Sequence, residues 1–125
     1  MPIEDMVQVD AVLGKMTIIT RANSKIVIDD MTRTMTLQDA SGNRIEMGPD
    51  GIKFISPKDI VFEAGGKINV QATGNVATTS SADIVQAALN ITQSANVAYT
   101  AKGAASAELS AAGQTTVKGA LVMIN

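Results

Sequence analysis

The chain has 125 residues, enough for one ordinary domain, and 46% of them are hydrophobic, yet only 2% are aromatic and none is Trp. Much of that hydrophobic share is Ala, so at about 25 cal/mol per Å² of buried apolar surface a monomeric core is thin and oligomerisation is the expected remedy. Ten basic and twelve acidic residues leave a net charge of −2 with no basic patch for nucleic acid, and the lack of Cys and His removes disulfides, thiolate metal sites and the commonest general base.

The opening Met-Pro-Ile-Glu-Asp is acidic and has no apolar core, unlike a secretory signal. No stretch approaches 18 uncharged apolar residues, so no membrane span is expected. Residues 1–50 are richer in charge and in large apolar side chains than the remainder. Within them Met16–Thr20, Lys25–Ile28, Met35–Leu37 and Arg44–Met47 alternate and carry β-branched residues, which predicts strands. Polar, Gly- or Asp-containing stretches separate them: Arg21-Ala22-Asn23-Ser24, Asp29-Asp30 and Asp39-Ala40-Ser41-Gly42-Asn43. Gly48-Pro49-Asp50-Gly51 predicts a turn into the next region.

From residue 51 the chain repeats. Ile52, Ile60, Ile68, Val76 and Ile84 recur at an interval of eight, and Phe54, Phe62, Val70, Thr78 and Gln86 follow two residues behind them. A pair separated by two is one face of a short strand. The rest of each octad, such as Ala64-Gly65-Gly66-Lys67 or Ala72-Thr73-Gly74-Asn75, supplies a turn. After Ile84 the phase slips, and the slip must be absorbed by a bulge or altered turn within Val85–Ala88. The period then recovers: Ile91, Tyr99, Ala107 and Thr115 align, as do Gln93, Ala101, Leu109 and Val117. Self-similarity at a short fixed period marks a solenoid or fibre. The inward rows are expected to be Ile52/Phe54, Ile60/Phe62, Ile68/Val70, Val76/Thr78 and Ile84/Gln86, with Lys53, Val61, Asn69 and Ala77 outward. Gly and Thr recur too often for helix, although the Ala-rich Ala104–Ala112 is tempting.

Plainer readings stand beside this one. Residues 72–120 read as a disordered linker on composition alone, and Ile60/Phe62 and Ile68/Val70 fit successive strands of an antiparallel meander. Asp29-Asp30, Asp59 and Glu63 lack a calcium-loop spacing and read as turn or surface residues. Gly65-Gly66 precedes no helix and is no phosphate loop. Lys102 and Lys118 read as solvated charges. No catalytic residue, metal site or cofactor is expected.

An octad supplies only one side of a coil, so it favours three chains wound together, each giving one face of a triangular prism at every level. Such interleaving removes free strand edges. At about 4.8 Å per level, ten octads make a shaft of roughly 50 Å. The expected fold is therefore all-β, an intertwined homotrimeric β-helix, with residues 1–50 as an N-terminal β region leading into an octad-repeat needle over residues 51–125.

Ser41-Gly42-Asn43-Arg44-Ile45-Glu46-Met47, then Gly51-Ile52-Lys53, Ser56-Pro57-Lys58-Asp59-Ile60 and Glu63-Ala64-Gly65-Gly66-Lys67-Ile68, resemble the C-terminal spike of VgrG proteins of type VI secretion, kin of contractile phage tail spikes. The closing Gly113–Asn125 resembles it too, and the similarity spans about residues 16–125. The resemblance implies a non-enzymatic, membrane-puncturing homotrimeric needle, assembled in the bacterial cytoplasm and then injected, which pierces the target membrane without spanning it. It also implies hub, baseplate or tail-tube partners at the N-terminal end and a PAAR-repeat tip protein at the apex. Family members also carry a large N-terminal hub that this chain lacks, and there is no C-terminal effector extension or His-x-His tip, which suggests an excised needle or a stand-alone spike. Leu121, Val122, Met123, Ile124 and Asn125 form the expected docking platform, by strand addition onto apolar side chains, a frayed end being the plain alternative. Thr78, Gln86, Gln93 and Thr115 are expected to line a partly polar interior. A trimeric phage tail-fibre or adhesion shaft is the alternative function.

Overall fold

A computed structural model describes residues 2–125. The chain divides into two units, Met1–Ala72 and Thr73–Asn125. Both are built from extended chain, and the one helix among the described residues is a single turn.

The first unit opens with that turn, α1 (Ile3–Met6), and continues as an antiparallel meander of six strands: β1 (Val7–Asp10), β2 (Lys15–Ile19), β3 (Lys25–Asp29), β4 (Thr34–Gln38), β5 (Arg44–Gly48) and β6 (Gly51–Ile55). Each strand pairs with the next in sequence, and the sheet stays open, with β1 and β6 as its edges. Strands β2 to β5 fall where alternation predicts them. Strand β1 was not anticipated: Val7-Gln8-Val9-Asp10 is short, and it becomes a strand because Met16 and Ile18 offer it a ladder.

Aspartates at strand ends organise the hairpins. The Asp10 carboxylate accepts from Val12 N (3.1 Å) and Leu13 N (3.0 Å), and that of Asp29 accepts from Met31 N (3.0 Å). The Asp39 carboxylate accepts from Ser41 N (2.8 Å) and Asn43 N (2.9 Å). A side chain that takes loop N–H groups replaces the ladder where the chain reverses. Asp29, weighed above as a turn residue, has that role. The tightest reversal is the two-residue Pro49-Asp50 turn, where Gly48 pairs with Gly51 and Gly51 takes φ 115°, open to glycine alone at low cost.

Strand β6 modifies one expectation. Gly51–Ile55, the start of the first octad, pairs along one edge with β5 of its own chain. The tight Pro49-Asp50 turn lays it directly on its predecessor.

Beyond Ile55 the chain is extended and bends at a regular interval. In the first unit it bends at Pro57-Lys58 and Gly65-Gly66. In the second it bends at Thr73-Gly74, Ser81-Ala82, Leu89, Asn96-Val97, Ala104-Ala105, Ala112-Gly113 and Ala120-Leu121. The inward residues of the sequence reading, from Ile60 to Thr115, each follow a bend by two positions, or by two and four. Ala104–Ala112 is extended, not helical: a nine-residue helix with no face to pack is marginal whatever its Ala content. The phase slip is absorbed at an altered turn, as the repeat requires, but one residue past the expected Val85–Ala88 segment. The bend narrows to Leu89 alone, where its neighbours use two residues.

Candidate functional site

The register of the sheet aligns two complete apolar rows on one face. Val7, Ile18, Ile26, Leu37, Ile45 and Phe54 form the first, and Val9, Met16, Ile28, Met35, Met47 and Ile52 the second. The opposite face carries Gln8, Thr17, Val27, Thr36, Glu46 and Lys53 in the register between them. Cross-strand pairs of branched or sulfur side chains each contribute about 0.2–1 kcal/mol, enough to hold the register but not to bury the face. Phe54 is 57% exposed and Ile52 62%. Part of the face, with Ile60 from the segment beyond β6, forms a groove of about 520 Å³ lined by Ile18, Ile26, Leu37, Ile45, Phe54 and Ile60, with Asp39, Asn43 and Ser56 at its polar end.

The spacing of nine or ten in residues 1–50 suggests the octad construction with longer turns. Met16/Ile18, Ile26/Ile28, Met35/Leu37 and Ile45/Met47 recur at those intervals and supply the rows, but their strands pair as an antiparallel meander within the chain.

The polar end of the groove is a connected cluster. Asn43 Nδ2 donates to Asp39 Oδ2 at 2.7 Å, and the Ser56 hydroxyl donates to Asn43 Oδ1 at 2.6 Å. Ser56 Oγ also accepts from Lys58 N at 3.1 Å, and Pro57 packs 3.4 Å from where a Cβ on Gly42 would stand. These contacts join Ser41–Asn43 to Ser56–Lys58, two segments that carry the resemblance, and fix the exit of the chain from the sheet. Hydrogen bonding to the Asn43 side chain, with backbone N–H groups adding to it, holds the Asp39 carboxyl below its usual pKa. The cluster has no nucleophile–base pair, and its bonds are those of a turn. Nearby, Arg44 Nε pairs with Glu46 Oε1 at 2.8 Å on the polar face, in an exposed position where such pairs contribute about 1 kcal/mol or less.

In the second unit, Tyr99 donates to Gln93 Oε1 at 2.7 Å. Ser80 Oγ accepts from Ala82 N at 3.1 Å, closing the bend there. The expected docking residues are accessible: Leu121, in the last bend, is 79% exposed, and Met123 (83%) and Ile124 (93%) lie in the extended segment after it. Asn125 ends that segment, and Val122 is the least exposed of its apolar members.

Two quantities describe the whole chain. Among the described residues no side chain is buried, and the accessible surface is 12005 Å², whereas a folded monomer of 12.9 kDa exposes about 6,300 Å². Among the described residues, no backbone–backbone hydrogen bond within the chain involves residues 56–125. Backbone N–H and C=O groups of ordered extended chain need partners. No cluster of three or more His, Cys, Asp or Glu side chains placed to hold a metal occurs among the described residues, and no helix there is long and apolar enough to cross a membrane. Compared with known proteins, the sequence matches no family model and no curated protein.

Proposed function

We propose that this chain is the needle of a VgrG-like contractile injection spike, a structural and non-enzymatic part that works as an intertwined homotrimer. The observation that carries the reading is that the backbone of residues 56–125, extended and bent at intervals of eight with one step of seven, makes no backbone–backbone hydrogen bond and has no ladder of its own. Three copies supply it: each extended unit pairs with units of other copies above and below, and the bends become the corners of a triangular β-helical prism. The twelve apolar residues of the sheet face then pack against those of the other copies, where each Ile, Leu or Phe taken out of water contributes about 1.5–3 kcal/mol. Surface area nearly twice that of a folded monomer fits a chain whose fold is completed by copies of itself.

Mechanics follow from the interleaving. A rod with no free edge and interlocked strands transmits an axial push from a contracting sheath without shedding a chain. The apolar rows give stiff packing near the sheet. Hub, baseplate or tail-tube proteins hold the N-terminal end. Leu121–Asn125 present exposed apolar side chains and unpaired strand backbone to a PAAR-repeat tip by strand addition. The shaft forms in the bacterial cytoplasm, is injected, and pierces the target membrane without residing in it.

Sedimentation equilibrium tests the assembly, with a mass three times 12.9 kDa expected and a monomer overturning the reading. Immunogold labelling in the bacterium that encodes it tests the role. Label at the leading tip of sheathed tubes supports a needle, whereas label along fibres or on the cell surface independent of the sheath supports the tail-fibre or adhesion alternative.

A further inference from the structure

The octad repeat is degenerate. Within a run of octads, moving one copy by a whole octad returns every bend and every inward position to an equivalent place, and toward the distal end small residues (Ala101, Ala107, Thr115) alternate with Tyr99, Leu109 and Val117 in the inward places, so spacing rather than bulk distinguishes one level from the next. One feature breaks the degeneracy. Ile84 and Ile91 occupy the same place in successive units, two residues past their bends, and are covered alike at 56% and 55% exposure, while Val85 between them is 84% exposed. The interval between them is seven, and the bend that shortens it is Leu89 alone.

We propose that this seven-residue unit is a self-recognition mark, which admits only copies of this chain that carry the short unit at the same level. The inference rests on the trimeric reading above. A seven-residue unit laid against an eight-residue unit leaves one residue of the longer strand without a ladder partner and forces a bulge. Beyond such a mismatch one strand is displaced by a residue, which turns its side chains to the wrong face. Polar residues reinforce the mark. Gln86 and Gln93 occupy inward places on either side of Leu89, and the Gln93 carbonyl is taken by the Tyr99 hydroxyl at 2.7 Å, leaving its amide N–H groups to donate to a neighbour. A buried amide is satisfied only when its partners stand at the matching level, the way a single polar residue specifies register in interlocked chains.

Co-assembly tests it. Three full-length chains carry different tags: the parent, a chain with one Ser inserted between Ala88 and Leu89 to restore the octad, and a chain with that insertion plus deletion of Ala98, which moves the short unit one octad along. Pairs are co-expressed, trimers are captured through one tag, and the fraction carrying the other is measured. Each chain is expected to trimerise with its own kind, while mixed trimers fall about tenfold below the statistical proportion, the discrimination that about 1.4 kcal/mol gives. Mixed trimers near the statistical proportion overturn the proposal. So does failure of both altered chains to trimerise alone, because the short unit is then a folding requirement and not a mark. A monomeric parent instead overturns the trimeric reading, and the two failures are distinguishable.

Discussion

The hydroxyl of Tyr99 donates to the side-chain carbonyl of Gln93 at 2.7 Å, six residues back along the chain. Tyr99 is the first inward residue of its unit and Gln93 the second of the preceding one. Their bond requires both side chains to project from the same side of successive units. That is local evidence for the inward rows in the stretch where apolar residues define them least.

Removing this bond has a measurable cost. Tyr99→Phe keeps the ring and loses the donor, so the proposed trimer is expected to lose about 0.5–1.5 kcal/mol per chain. Thermal unfolding at fixed protein concentration reads it as a lowered midpoint. An unchanged midpoint places the pair outside the interior.

Ile68 tests the inward register directly. In the proposed trimer, Ile68→Asp sets three carboxylates at one level near the axis, desolvated and without counter-charge, and soluble trimer is expected to be lost. Asn69→Asp, one residue on and outward, is expected to assemble like the parent. Gel filtration of both separates register from general fragility, and a normal trimer from Ile68→Asp means the register is wrong.

Gly103 is required by space. A Cβ there collides with the backbone carbonyl oxygen of Ser106 across the Ala104-Ala105 bend, and backbone cannot swing aside as a side chain does. Gly103→Ala is expected to destabilise by about 1–3 kcal/mol. Gly113→Ala, where an added Cβ meets nothing within 4 Å, is the matched control. Equal urea midpoints for the two variants rule out this account of the bend.

Asp39 gives the sheet an acid limb. Its folded pKa lies below the unfolded value, chiefly through the Asn43 side chain, so its stabilisation is full above the unfolded pKa. That contribution disappears as pH falls through the ordinary aspartate range toward the lower folded value. Asp39→Asn is therefore expected to flatten the loss of stability on acidification while weakening the protein at neutral pH. Urea midpoints measured from neutral pH downward check the sign, and parallel curves for parent and variant contradict it.

At the exposed end, deleting residues 121–125 is expected to leave the trimer intact and abolish capture of a PAAR-type tip protein in a pull-down. Undiminished capture by the shortened shaft removes Leu121–Asn125 from the docking platform.

Much of this was readable before any coordinates. Side-chain direction along an extended strand alternates by covalent geometry, so the spacing of Ile60, Ile68, Val76 and Ile84 already assigned a common place to each. The four strands from β2 to β5 and the turn at Gly48–Gly51 were legible for the same reason, reinforced by Asp, Asn and Gly at the reversals. The seven-residue step was legible as a slip, but not its seat at Leu89, because the Ala87-Ala88-Leu89-Asn90 sequence offers no preferred bend. Strand β1 was not legible, since four alternating residues form a strand only when a ladder is offered. Alternation also says nothing about which strand lies alongside. The same pattern placed Gly51–Ile55 against β5 in its own chain and left residues 56–125 without a strand partner in it. That choice belongs to the backbone hydrogen bonds, which carry no side-chain signature, so tertiary structure alone decided where the chain satisfies itself and where it does not.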